Sequence, residues 1–583
     1  MKKWQSGHFW AVVGAIALGA LLRLSQLDSK PLWTDEILTA LFSLGRQTGD
    51  LPLDVVFSAE ALKLPFSLHP ATCPQIAQTV VTESTHPPLF FCLMHSWLGW
   101  VSGFADSLAW QLRSLPALFG VAAIPAAYLL NRIAFSPTAG LAAALLMAVS
   151  PFCVYLSQEA RHYTLPLLLI TLALCGLVQI QKDGFDRQQV RPLVWLGWIL
   201  ANAIGLYVHY FFILAYVAQV ATLLTLQILI AIRKQKSTLN FHPSLGLTIA
   251  PFLLFSPWIP TLLQHFNRPE TDWFKPFEPS WTDGFAPLYQ TLASWVLMAI
   301  ALPVESQPLW IAIPAGLLML GFLVWLGRHL WQGTRQLLKM LDTRDSTLVI
   351  LGFTLWVLLE ILVMVYLLGK DITAAPRYHF IYYPGVCALL AASLSLSKMS
   401  GETETGSLPT LRFKISRVPL AIALAVGCLS SILVVQNWVF QKPYYPERVA
   451  RDFTFDRALP LAIVTGYENV QEVALGLSFD WEVLKSREDA NFAFLTRQLG
   501  YDRFWQNLSQ IQTLPSPPIN LWIVAPGLRQ AEYPPELAIS TPAKPAICTR
   551  DSDRYRRIGI PYQLYRCSSN QNPSPQREKG LKN

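Results

Sequence analysis

Asp35 and Glu36 stand side by side in the stretch Pro31-Leu32-Trp33-Thr34-Asp35-Glu36, a few residues beyond the first apolar run, Phe9 to Leu24. A carboxylate at a bilayer boundary can remove the proton of an acceptor hydroxyl when the other reactant is delivered through the lipid. Neighbouring side chains on a helix diverge by about 100°, so one of the pair can face a cavity while a local partner holds the other. The competing reading is a helix cap, since Thr34 and Asp35 both suit an N-terminus.

Other stretches carry chemistry of the same kind. His86-Pro87-Pro88-Leu89 follows Glu83, and its proline pair must open an element, because proline is tolerated in a helix only at the first turn. Ser157-Gln158-Glu159-Ala160-Arg161-His162-Tyr163 falls between two apolar runs, where Glu159 and Arg161 are costly without polar partners. Arg377-Tyr378 opens a later run, with Pro384 further on. A guanidinium there suits a phosphate, whose oxygens it can bind in pairs. Each stretch also has a plainer use: a helix start, a mutual salt bridge, or snorkelling to lipid headgroups.

The elements that must position these residues are membrane helices. The chain has 583 residues, 52% of them hydrophobic and 14% charged, and it contains many apolar runs near the length that spans a bilayer. Spans are expected at 8–24, 112–131, 138–153, 162–181, 192–208, 210–232, 245–264, 308–327, 347–368, 377–397 and 418–438. The stretches 87–104 and 286–303 are ambiguous. Basic residues gather in short loops, including Arg132, Lys182, Lys234, Arg335 and Lys398. With the N-terminus in the cytoplasm these loops are cytoplasmic only if both ambiguous stretches fail to cross, which favours eleven crossings over thirteen. Either count leaves the C-terminus outside. The net charge of +8 is thus a topology signal and not a nucleic-acid patch.

The fold class is therefore a polytopic α-helical membrane protein of about 11–13 spans with a small C-terminal α/β extracytoplasmic domain. The division expected is 1–439 for the membrane domain, with a first outer loop at about 25–111, then 440–567 for the soluble domain and 568–583 for a disordered tail. In the first loop, Val55-Val56-Phe57 and Leu62 to Leu68 read as amphipathic pieces lying on the membrane. In the loop 265–307, Trp273, Phe274, Phe277 and Trp281 read as interfacial anchors or a lid. In the soluble part, Leu461-Ala462-Ile463-Val464 and Leu521-Trp522-Ile523-Val524 read as buried strands, with 470–512 helical and polar between them. The eight cysteines show no CxxC pair, so no zinc site is readable. Cys548 and Cys567 are candidates for a disulfide in an oxidising compartment.

The four motifs, in this order, resemble those of the GT-C membrane glycosyltransferases over residues 8–400. The resemblance is to the protein O-mannosyltransferase and lipid A aminoarabinose transferase types, and to relatives of the rhizobial lipopolysaccharide core transferases. It implies a sugar donor linked to polyprenyl phosphate, a glycolipid, polysaccharide or protein acceptor, and a multi-pass inner or plasma membrane location. It also implies a catalytic role for Asp35, with Glu36 as its companion and Glu159 as a second acidic position. His86 stands where some relatives carry a lysine near the carrier phosphate, and Arg161, Arg377 and Tyr378 are the other phosphate-binding candidates. A divalent cation, Mg²⁺ or Mn²⁺, is needed by some members and not by others, and Asp35, Glu36 and Glu159 are oxygen ligands of the right kind.

The chemistry is coherent apart from the family. Attack on an anomeric carbon needs a deprotonated acceptor and a stabilised leaving phosphate. The competing class is a transporter or flippase of a lipid-linked glycan. Transporters keep ionisable groups near mid-membrane, whereas the spans here are nearly free of them, Glu360 being the clear exception, and no repeated half is visible. A membrane scaffold is a third reading, and it leaves the acidic first loop without a use.

Overall fold

The computed structural model describes residues 2–187, 189–233, 243–268, 283–397, 412–413, 417–511, 513–540 and 545–569. The chain forms two compact units, one from Met1–Lys30 and Thr72–Gln441, the other from Pro31–Ala71 and Lys442–Asn583.

The first unit is helical. Eight helices among the described residues are long and apolar enough to cross a bilayer, from Gly7–Leu24 to Val418–Val435. This is a multi-pass membrane protein. The span expected at 138–153 is instead a bent pair, Pro137–Ala148 and Pro151–Ser157, meeting at 56°. Pro151 breaks the first helix, and Ser150 caps the second by accepting from the Cys153 N–H at 3.2 Å. The span expected at 377–397 is also altered. Pro376–Ile381 is a 3₁₀ turn, and the α-helix runs only over Tyr383–Leu394, with Pro384 in its first turn. Pro192–Val208 has 17 residues. The ambiguous stretches form Leu89–Val101 and Ala286–Ala299, of 13 and 14 residues. At 1.5 Å per residue both are about 20 Å long, short of a hydrocarbon core of about 30 Å. A disulfide joins Cys73 to Cys92, tying the helix Cys73–Glu83 to Leu89–Val101.

The second unit is built on a seven-stranded sheet: β1 (Val56–Ser58), β2 (Leu461–Tyr467), β3 (Asn491–Thr496), β4 (Ile519–Val524), β5 (Glu536–Ile539), β6 (Ala546–Ile558) and β7 (Ile560–Ser569). Its order is β1-β3-β2-β4-β7-β6-β5, with β2 parallel to β3 and β4 and the remaining pairs antiparallel. The two runs read as strands from sequence are β2 and β4, and β4 is buried throughout. Such continuous burial is what a parallel centre covered on both faces requires.

Several expectations need correction here. The stretch 470–512 is not simply helical and polar: it contains Val470–Leu484, which is largely buried, then β3, then Tyr501–Gln510. The run Asn491 to Thr496 is a further apolar strand, short and flanked by polar turns. Val56–Ser58 is not a membrane-lying piece but an edge strand, with Val56, Phe57 and Ser58 opposite Ala493, Phe492 and Asn491. Pairing gives its backbone groups partners that a lone amphipathic strand lacks. Leu62 and Phe66 are buried in this unit too, with Phe66 against Trp481 at 4.4 Å. The segment Pro31–Ala71, grouped by composition with the membrane domain, is thus part of the sheet unit. The disulfide Cys548–Cys567 is formed between registered residues of β6 and β7. Ser568 and Ser569 end β7, and the rest of the tail lies outside the described residues, as do Trp273, Phe274, Phe277 and Trp281.

Candidate active site

In the first unit the loop after Ser157 is fixed from several sides. Arg23 is fully buried and donates to the carbonyls of Met147 and Ala148 at 2.7 and 2.8 Å, closing the C-terminal end of Pro137–Ala148. Gln158 donates to the carbonyls of Leu22 and Ser25, and Lys30 donates to the Gln158 Oε1 at 2.9 Å. Thr164 donates to the carbonyl of Pro116. The helix Leu108–Ala134 comes so close that a Cβ on Gly120 would stand 2.1 Å from the Ser157 hydroxyl, so only glycine fits there. The result is a rigid turn that presents Glu159, Arg161 and His162, each at most 5% exposed.

Other elements bring their residues to this turn. His86, just ahead of Pro87-Pro88 and Leu89–Val101, is half-buried. Its Nε2 lies 3.4 Å from the Arg161 guanidinium and its Nδ1 lies 3.2 Å from the Ser84 hydroxyl. Arg377, on the 376–381 turn, is close enough to act electrostatically on both His86 and His162. Tyr155 hydrogen-bonds Glu159 and feels the charge of Arg377. Tyr378 packs at 6.1 Å from Tyr163 and 6.3 Å from His209. The structure therefore brings Glu159, Arg161, His86, Arg377 and Tyr378 into one cluster.

Three groups in the cluster were not singled out for a role from the sequence. His162 lies 4.8 Å from the His86 ring and 4.6 Å from that of His209, and His265 is near enough to His86 to influence it. His265 also receives the Tyr210 hydroxyl at 2.8 Å and sits 3.0 Å from the Val81 carbonyl. The signal for His209 is a polar residue closing an apolar run, Tyr207-Val208-His209-Tyr210. Burial, followed by the charge of Arg161, holds the His86 imidazole well below its usual value. Burial and neighbouring histidines do the same to His162 and His209. At neutral pH the positive charge of the cluster thus resides on Arg161 and Arg377, which do not deprotonate.

Asp35 and Glu36 lie in the other unit, in the first turn of the helix Thr34–Ser43. Glu36 is fully buried, and its Oε2 accepts the Trp33 N–H at 3.4 Å, the capping use of this motif. Asp35 is half-buried, and it is near enough to Tyr444 to influence its hydroxyl. Among the described residues no group of three histidine, cysteine or carboxylate side chains could hold a metal ion. The first unit also contains a cavity of about 600 Å³, lined by Trp295, Met298, Phe322, Leu326, Tyr382 and Tyr383 among other mostly apolar residues.

Residues 85–260 match the family model of the dolichyl-phosphate-mannose-protein mannosyltransferases. ArnT from Cupriavidus metallidurans in the apo state matches with a TM-score of 0.50 at 12% identity, over 96% of this chain and 98% of that one. The same protein bound to undecaprenyl phosphate gives 0.48 at 13% identity, over 97% and 99%. The archaeal oligosaccharyltransferase AglB from Archaeoglobus fulgidus, in complex with an inhibitory peptide and a dolichol-phosphate, gives 0.42 at 13% identity, over 82% of this chain and 64% of that one. No curated protein sequence matches the chain. The fold is similar to that of ArnT, and one segment of the chain carries a family signature of its own. The signature over residues 85–260 is similar to that of the mannosyltransferase family just named, and this segment holds His86, Glu159, Arg161, His162 and His209.

Proposed function

We propose that the protein transfers a sugar from a polyprenyl-phosphate-linked donor to an acceptor hydroxyl at the outer face of the cell membrane. The observation that carries this reading is the convergence of buried Glu159 and Arg161, from one loop, with half-buried His86 and Arg377, from two other segments, into one cluster. Guanidinium groups bind phosphate oxygens in pairs, and two of them stabilise the charge that develops on a leaving phosphate. The matched family's name specifies a dolichyl-phosphate-linked mannose and a protein acceptor for its members, which supports a lipid-linked donor here. The apolar cavity, whose wall includes Tyr382 and Tyr383 just beyond the Arg377 turn, suits the isoprenoid tail of such a carrier. Asp35 is the base on this reading, and no step here is routed through a divalent cation.

Sugar transfer by purified protein in nanodiscs tests the activity. Mass spectrometry of envelope glycolipids and glycoproteins with and without the gene identifies sugar and acceptor. A single missing sugar is the expected result. Unchanged glycans together with a block in translocation of a lipid-linked glycan would establish the transporter reading instead.

A further inference from the structure

His162 and His209 have no role in the reading above. His162 is wholly buried, and neither of its ring nitrogens meets a hydrogen-bond partner among the described residues. The same is true of the His209 Nε2. Buried polar atoms are rarely left so without a functional reason. The two rings form a triangle with half-buried His86: His86–His162 at 4.8 Å, His162–His209 at 4.6 Å and His86–His209 at 6.2 Å. Groups around this trio are Arg161 and Tyr163 from the same loop as His162, Arg377 and Tyr378 from the 376–381 turn, and His265 beside His86, while Glu159 and Tyr155 stand beyond them beside Arg377.

The proposed transfer changes the charge at this place. A phosphate bridging sugar and lipid is a diester with a single negative charge. When the bond from the anomeric carbon to the phosphate oxygen breaks, the electron pair stays on that oxygen. The acceptor oxygen forms the new bond, and its proton goes to the base. The carrier is left as a monoester whose second pKa is about 6, hence dianionic at neutral pH. An added negative charge beside Arg161 and His86 opposes the burial that keeps the imidazoles neutral.

We propose that His162 and His209 are positioning residues that store a proton for the leaving carrier phosphate, drawn from water into the trio His86, His162, His209 as the second negative charge appears. The proposal rests on the donor reading above. Its sign is fixed: a trio that is neutral when empty and charged when the phosphate is bound takes up protons on binding.

The test is calorimetry of decaprenyl phosphate binding to the full-length protein in nanodiscs at pH 7.5, in two buffers of different ionisation enthalpy. Wild type should take up about one proton per carrier bound. Decaprenol, which lacks the phosphate, should cause no uptake. H162Q and H209Q keep an amide N–H but cannot titrate. Each should lose most of the uptake and roughly tenfold in affinity, the equivalent of one pKa unit of coupling. Binding by wild type without proton uptake, or uptake unchanged in the variants, overturns the proposal and leaves the donor reading standing. Failure of wild type to bind decaprenyl phosphate overturns the donor reading and this proposal together. If H162Q does not fold, H209Q decides.

Discussion

Arg377 and Asp35 separate the two halves of the proposed chemistry at the scale of single residues. Arg377→Ala should raise the carrier concentration needed for half-maximal rate by tenfold or more. Arg377→Lys should restore only part of this, because a point charge does not reproduce a planar fork. An unchanged dependence on carrier would exclude the phosphate role. Asp35→Asn keeps the shape and removes the base, so turnover should fall by roughly 10²-fold or more while donor affinity changes little. If Glu159→Gln were the inactive variant and Asp35→Asn the active one, the base would move to the Glu159 turn. Glu36→Gln should act on stability more than on turnover, since Glu36 is buried and caps its helix. The legible residues were those with an evident chemical cost: Glu159 and Arg161 are expensive at a bilayer edge, so the sequence alone asks for their partners. His162 sits in the same motif yet remains silent, because a histidine declares neither charge nor partner until its neighbours are in place.

At the scale of elements, the close contact at Gly120 and the edge strand β1 make opposite kinds of prediction. Gly120→Ala forces a methyl group into the Ser157 hydroxyl and towards Arg23, whose Nε would be 3.1 Å away. Overpacking of this kind costs about 1–3 kcal/mol, and it falls on the turn that carries Glu159 and Arg161. Thermal stability and sugar transfer should therefore drop together, and an unaffected rate would show that the turn tolerates displacement. Phe57→Ala acts on the sheet unit. Phe57 is buried and lies 5.9 Å from both Phe492 and Phe494, so its truncation should cost about 3 kcal/mol. Faster hydrogen exchange in β3, with the helices of the first unit unaffected, is the expected readout. The strand was hidden because three residues carry no reliable period, and its partner lies more than four hundred positions away. Long apolar helices were legible because length and composition alone define them. Their breaks were not, because Pro151 and Pro384 act through local geometry that hydropathy does not record.

For the whole molecule, the distribution of basic residues and the two disulfides make independent claims about orientation. Lys234, Arg335 and their neighbours define cytoplasmic loops if the N-terminus is inside. Cys73–Cys92 and Cys548–Cys567 each require an oxidising compartment. Both disulfides lie in segments that the charge rule places outside, so one orientation satisfies both criteria. The remaining cysteines suit a labelling experiment in the native background: Cys153, Cys175 and Cys387 are buried and Cys428 is half-buried. A thiol reagent that cannot cross the membrane should therefore give little signal on intact wild-type cells. Lys485→Cys, at an exposed position after the helix Val470–Leu484, should be labelled in intact cells. Lys234→Cys should be labelled only after the cells are opened. Labelling of Lys234→Cys in intact cells would invert the topology. It would set the basic loops on the same side as the disulfides and withdraw the outer-face placement of sugar transfer, whatever the fate of the cluster around Arg161.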